Sequence, residues 1–551
     1  MIFDYKYKGN SKVATDTNSV GIQFAPDVQR DPTFFVGKLH KKLTFREAIS
    51  ALHDVVVSDL RFVPKDREAY MQWLKEQESI WLSDYIAENQ LEVTRERIAQ
   101  IKEELQTVYK EKDRILGPFN KAKKAYFDYL YQKDRDAWFV LDPVITVHPD
   151  EVFFECFSQD ESSYGKLSCN YNVFTQIDTF ACGTTNIDYS QSLYNEFQKI
   201  RDYKETSFAI DPSGFETRTT NEEEYKEVKI DLPDSWVRGF LQVSSAMTLP
   251  AVTFDLHPQD MYLLCSYLRR FKEQKGPRAL RFILKPGQPV QVLFEPWHEI
   301  FTFYRSPYTG SQEQTIRIWG RRRLHILERL LPIANRFTVH LLGNGLPSFF
   351  IADLGDMTFT LGLSGWTAND WSQSGNFDLM APRTTVDQKT QEQIFNTLKK
   401  DWLGTPDAIA KNLGLTTDVV ASSLAAYTQA GRVVYDLHKR MYRVRELSQK
   451  PLPMASLRFA SEQEEKANRL LQEHPFSVKV EVKDAILHLA AKIKEQRATF
   501  QTEAQIDKDN RMISGSCSCH YFLANGLRKG PCEHLLALRM EMNKLKEKSK
   551  V

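Results

Sequence analysis

The chain of 551 residues is poor in cysteine, with seven, and has no charge excess, since 73 lysines and arginines stand against 72 aspartates and glutamates. That balance excludes a dedicated nucleic-acid coat, which needs a strongly basic surface, so any nucleic-acid contact has to rest on local patches. No apolar run is long enough for a transmembrane helix. The opening residues lack the basic-then-apolar profile of a secretory signal, and Cys156, Cys169, Cys182 and Cys265 are scattered without paired spacing. A cytoplasmic protein with reduced thiols is therefore expected, with no membrane contact. Enzyme signatures are also missing. There is no phosphate-binding Gly-x-x-x-x-Gly-Lys-Ser/Thr loop and no Gly-x-Ser-x-Gly elbow. His298-Glu299 lacks the second histidine of a metalloprotease helix, and Gly343-Asn344-Gly345 reads as a turn between strands. The expectation is a non-catalytic protein with no evident small-molecule substrate.

Three of the seven cysteines are concentrated near the end, in Cys517-Ser-Cys519 and Cys532-Glu-His534. In an extended chain, residues i and i+2 face the same way, so Cys517 and Cys519 can aim at one ion. The second pair opens a helix-like run after Pro531, a residue suited to a helix start because its missing N–H would be unpaired there. A closed Cys3His set leaves no open position for water or substrate, which is the form of a structural zinc site. The competing reading, buried free thiols and a disulfide, suits a reducing compartment poorly. His520 is a rival ligand, but His534 repeats the i, i+2 geometry of the first pair. Upstream, Phe500, Thr502, Ala504 and Ile506 alternate as one face of a strand, Asp507 to Asn510 reads as a turn, and Arg511 to Cys519 returns.

This stretch, Cys-x-Cys followed by Cys-x-His after a strand pair and before a helix, resembles the SWIM-type zinc finger. The resemblance covers roughly a tenth of the chain, and the whole looks like large bacterial proteins carrying one such finger at the carboxy terminus. It implies bound zinc and a module that binds DNA or protein. It also implies company with a MoxR-type AAA+ ATPase and a von Willebrand A-domain protein.

The rest of the chain reads as an α+β multidomain protein. An N-terminal segment (1–64) holds a Thr44-x-x-Glu47 capping box ahead of Ile49, Leu52 and Val55. Residues 65–139 are charged and helical, with an apolar stripe through Ile98, Ile101, Leu105, Val108 and Ile115, and Gly117-Pro118 divides them into a long helical hairpin. Residues 140–382 form a central α+β region of short strands, including Leu280–Leu284 and Met357–Leu363, with helices at Pro258–Glu273 and from Arg321. In 387–448, three short helices (Thr390–Lys400, Asp407–Leu413, and Thr416 or Thr417 to Gln429) precede two β-prone runs. That pattern predicts a winged-helix-like domain. A helical connector (449–497) leads to the finger (498–551).

Two patches suit phosphate contact. The β-prone runs carry Arg432, Lys439, Arg440, Arg443 and Arg445 against Asp436 alone, with Lys439, Arg440 and Arg443 the tentative nucleic-acid residues. Arg528 and Lys529 lie between the two ligand pairs and are the other tentative contacts. The third helix argues the other way, since it holds no Lys or Arg to read bases. Trp319-Gly320-Arg321-Arg322-Arg323 is the densest basic run of the central region, read as an exposed helix start or as a nucleic-acid or acidic-partner patch. DNA, or protein partners such as the ATPase, are the two partners considered.

Overall fold

In the computed structural model the described residues are two strands within the first 24 positions, residues 33–58, and most of 143–210 and 234–548. The segment 65–139, expected as a helical hairpin, lies outside them apart from Thr107. By compactness the chain divides into Met1–Asp59 with Leu141–Val551, and Leu60–Val140. The elements below belong to the first unit.

Its centre is an antiparallel sheet of eight strands. They run in spatial order Val252–Leu256, Arg336–Leu341, Ser348–Asp353, Met357–Leu363, Ser163–Asn170, Glu151–Phe157, Val144–Val147 and Gly183–Asn186. Leu280–Leu284 and Met357–Leu363 fall at the expected limits. The strand Glu151–Phe157 is buried along its whole length, two glutamates included. A buried carboxylate needs a cationic or hydrogen-bonding partner, and the partners come from the far end of the chain.

The N-terminal segment contributes strands to a second sheet. Lys12–Thr15, Ser19–Phe24 and Phe35–Leu39 share a five-stranded sheet with Glu205–Ile210 and Phe174–Ile177. The helix after them starts at Lys42 instead of being capped by Thr44, and its N-cap Lys41 makes no side-chain cap bond. Glu47 pairs with Arg46 and Arg329. Val55 and Leu52 press so closely on Gly165 that a Cβ there would meet them at 3.0 and 3.2 Å.

The basic run at 321–323 is a 3-10 stretch, Arg321–Leu330, entered through Gly320 in the left-handed region, where only glycine sits without strain. Arg321 and Arg323 are buried, contrary to both expectations for the run. Arg321 donates to the carbonyls of Ala279 and Glu295, and Arg323 to Asp160 at 3.2 Å.

Residues 388–444 form three helices, Gln388–Asp401, Pro406–Leu413 and Thr417–Gln429, and the strands Val433–Asp436 and Met441–Val444. The short strand Leu403–Gly404, which the sequence did not announce, pairs with the last of these. Local chemistry accounts for the helix ends. Asp387 accepts from the Thr390 N–H, Thr405 accepts from the Ala408 N–H, and Gly414 closes the second helix in the left-handed conformation. Ile394, Phe395, Leu398, Val420, Leu424, Val433 and Val444 form its core.

The connector differs from expectation. Among its described residues it holds the helix Glu462–Glu473 and then two strands, Lys479–Lys483 and Ile486–Glu495. These join Ala498–Ile506 and Met512–Cys517 in a four-stranded antiparallel sheet, against which the helix Glu533–Lys548 packs. A continuous core runs from Trp236 and Phe240, through Phe349 and Trp371, to Leu489, Ile506, Cys532 and Leu535. Arg539 in the last helix is buried and donates to the carbonyls of Leu379, Ala381 and Asn510.

Candidate metal centre

The four ligands arrive from three local structures. Cys517 ends the strand Met512–Cys517, opposite Thr502 in the neighbouring strand. Cys519 holds an extended backbone and caps the short helix His520–Asn525, its Sγ accepting the Phe522 N–H at 3.4 Å. Cys532 immediately precedes the helix Glu533–Lys548, where its carbonyl accepts the Leu536 N–H at 3.1 Å, and His534 is the second residue of that helix.

The coordinating atoms of Cys517, Cys519, Cys532 and His534 all lie within 4.8 Å of one another, and all four residues are buried. A tetrahedral zinc with sulfur at about 2.3 Å sets its sulfurs about 3.8 Å apart, so only a small contraction separates this cluster from a filled site. Three soft thiols and an imidazole, sealed from solvent, fit a structural metal and leave no position for a substrate. His520 is exposed and is not part of the cluster.

The electrostatics of the cluster point the same way. Hydrogen bonds from Cys519 and Cys532 hold the Cys517 thiol well below its usual range, and its sulfur contacts push Cys532 up, so the group shares a thiolate. Burial alone would lower His534, but the neighbouring Cys517 and Cys519 sulfurs push it up to about 10. A metal would displace these shared protons. Thr502 was read only as a strand residue. Its buried hydroxyl lies 3.4 Å from the Cys517 sulfur, a contact visible only once the strands are in register.

The tentative nucleic-acid residues are not brought together. Arg443 is 0% exposed, with both terminal nitrogens on Asp150 and its Nε on Asp436 at 2.9 Å. Lys439 bonds Asp150 and Glu151, each at 2.9 Å. Arg445 is buried on Glu155 and Ser244. Arg443 and Arg445 are enclosed in the protein, and Lys439, though partly exposed, is paired to both acids. Arg440 and Lys529 are exposed. Arg528 is partly buried, donating to the carbonyls of Asn525 and Ala524, while its stem lies on Gly345 so closely that a Cβ there would sit 2.9 Å from it.

The inward ion pairs shape their surroundings. Burial tends to raise Asp150, but hydrogen bonds from Arg443 and Lys439 override it and hold the carboxyl well below the usual carboxylate range. His148, sealed beside them and bonded to the Val444 carbonyl at 2.6 Å, is pushed down to about 3 by burial and then by the Arg443 charge. The third helix is no freer. Between Val420 and Thr428 every residue except Ala426 is buried, and Gln429 donates to the Asp378 carbonyl.

No known protein family matches the chain, and no curated protein matches it. Among solved structures it is similar to the proliferating cellular nuclear antigen of Entamoeba histolytica, at 9% identity over 40% of this chain and 88% of that one, with a TM-score of 0.28. A structure of the C-terminal region of FEN-1 bound to A. fulgidus PCNA matches at 11% identity over the same shares, with a TM-score of 0.27. Likeness at those scores carries no argument about fold or function. Among the described residues, no helix is long and apolar enough to cross a membrane.

Proposed function

We propose that this is a zinc-stabilised, non-catalytic interaction protein, closed at its C-terminal end by a SWIM-type finger, whose main ligand is another protein. Zinc is favoured over other metals by the donor set, since three thiols and one imidazole select it over harder cations, and a sealed tetrahedron is its structural form. When bound, the ion supplies a fixed tie between the end of one strand and the start of one helix. Cys517, Cys519, Cys532 and His534 hold it, and Thr502 and the Phe522 N–H temper the thiolate charge.

We read residues 387–448 as a winged-helix-like unit used for docking. One observation carries the preference for protein over DNA: most of the third helix, and the hairpin cations Lys439 and Arg443, are engaged by this protein itself. A recognition helix needs one open face to enter the major groove, whereas Thr417–Gln429 is enclosed on nearly every side. The wing's Lys439 and Arg443 spend their charge on Asp150 and Glu151.

The SWIM resemblance suggests a MoxR-type AAA+ ATPase and a von Willebrand A-domain protein as partners. Affinity capture of the full chain from native lysate, with and without nuclease, tests this. Nuclease-resistant recovery of such an ATPase supports a protein ligand. Recovery of nucleic acid alone, lost on nuclease treatment, would overturn it in favour of DNA.

A further inference from the structure

The imidazole of His534 has two nitrogens in different surroundings. Nε2 lies 3.3 Å from Oε2 of Glu495, the last residue of the strand Ile486–Glu495. Nδ1 is buried and has no hydrogen-bond partner, and the nearest carboxylate to it, that of the adjacent Glu533, stands at 3.6 Å. The ring packs on Phe500, centroids 4.4 Å apart, so it is held against free rotation. Glu495 lies outside the four-residue metal cluster although it touches one of its members. The hairpin fixes its place, since Glu495 pairs with Ala498 two residues before Phe500.

We infer that Nδ1 is the metal-binding nitrogen of His534, and that Glu495 is a positioning residue that accepts the Nε2–H, fixing the tautomer and aiming the ring. A neutral imidazole carries one proton. Placing it on Nε2, where a carboxylate receives it, leaves the lone pair of the buried, unpartnered Nδ1 free to bind an ion. Carboxylate-to-histidine pairs of this kind orient metal-bound imidazoles and raise their basicity, and their loss typically costs about 10- to 100-fold in metal affinity. The Glu495 side chain is 40% exposed, which places the expected loss near the lower end, at about 10-fold.

This inference rests on the metal reading, and the test separates the two. Full-length protein is loaded with zinc and its affinity measured by competition with a chromophoric chelator, for wild type, Glu495→Gln and Glu495→Ala. Nitrogen-detected histidine spectra of the zinc-loaded wild type report directly which nitrogen of His534 carries the proton. The expected result is a proton on Nε2, zinc affinity about 10-fold weaker in Glu495→Ala, and an intermediate loss in Glu495→Gln, whose amide oxygen still accepts the bond without its charge. A proton on Nδ1, or Glu495→Ala within twofold of wild type, overturns the assignment while leaving the metal site standing. Failure of the wild type to bind zinc at all removes the metal reading and this inference with it.

Discussion

Arg443 grips Asp150 with two parallel hydrogen bonds, 2.8 Å from Nη1 to Oδ1 and 3.0 Å from Nη2 to Oδ2, although 293 positions separate them. The same guanidinium reaches Asp436 through Nε, and Glu151 stands 3.5 Å away. The pairing fastens the hairpin Val433–Asp436/Met441–Val444 to the central sheet. Bidentate arginine–carboxylate contacts of this kind are strong and geometrically specific.

Replacing Arg443 by Met should therefore cost about 3–5 kcal/mol, because it strands buried carboxylates without a counter-charge. Lys439→Ala should cost less, about 1 kcal/mol, since that side chain is partly solvated and Arg443 still serves both acids. Denaturant titration of the two variants checks the ranking. Equal effects, or a neutral Arg443→Met, would mean the network does not hold the hairpin.

Acid should weaken the protein in two stages. The folded-state pKa of His148 is depressed to about 3, so the unfolded chain takes up a proton that the folded chain refuses. The resulting stability is complete above about pH 6.5 and falls as pH drops toward 3, by up to about 1.4 kcal/mol per unit. Asp150 and Asp436 are depressed carboxylates, so their contribution is lost only below about pH 4, as pH falls toward their folded values. His148→Gln keeps a donor for the Val444 carbonyl and should flatten the slope between pH 6.5 and 4. An unchanged slope there would assign it to another group.

Metal loss should begin at the four-residue cluster and spread into the core that it shares. Cys532→Ser should lose most of a stoichiometry of one zinc per chain, read by elemental analysis. Limited proteolysis of that variant should cut first between residues 498 and 532. Structural zinc contributes on the order of 10 kcal/mol in isolated fingers, and full zinc retention by the variant would sink the ligand assignment.

Of the tentative nucleic-acid residues, Arg440 and Lys529 are the exposed ones, so they carry the test of nucleic-acid contact. Reversing both to Glu should then lower the salt-dependence slope by about 0.9 per lost contact, with folding intact. Lys439 is unsuitable for this test, because a glutamate there would face Asp150 and Glu151. Absence of wild-type binding at low salt would close the DNA reading.

Much of this was legible in the residues. The ligand set was, because two i, i+2 pairs of soft donors so close together suit a tetrahedral ion and little else. So were the ends of the second helix of 387–448, marked by Thr405 and Gly414, whereas the first starts at Gln388 and not at Thr390. Two things were missed for physical reasons. Ile486–Glu495 is rich in Leu, Ala, Lys and Glu, strong helix formers, and became a strand because its neighbours supply a sheet and a helix to cover it. The outward reading of Lys439 and Arg443 ignored a signal on another strand. Glu151 and Glu155 alternate with Phe153 and Phe157 in a run with no exposed position, so two acids were certain to need cations from elsewhere.

Arg539 ties the last helix to the carbonyls of Leu379 and Ala381, and the core beneath it is shared from Trp236 to Leu535. The stretch that bears the metal cluster is thus not a tassel that can fray while the body stays whole. Its collapse would open a wall of the main core, and a chain starved of its ion would present apolar surface to proteases well beyond the last fifty residues. The half-life of the entire polypeptide, not the presence of one module, is then what metal supply would govern.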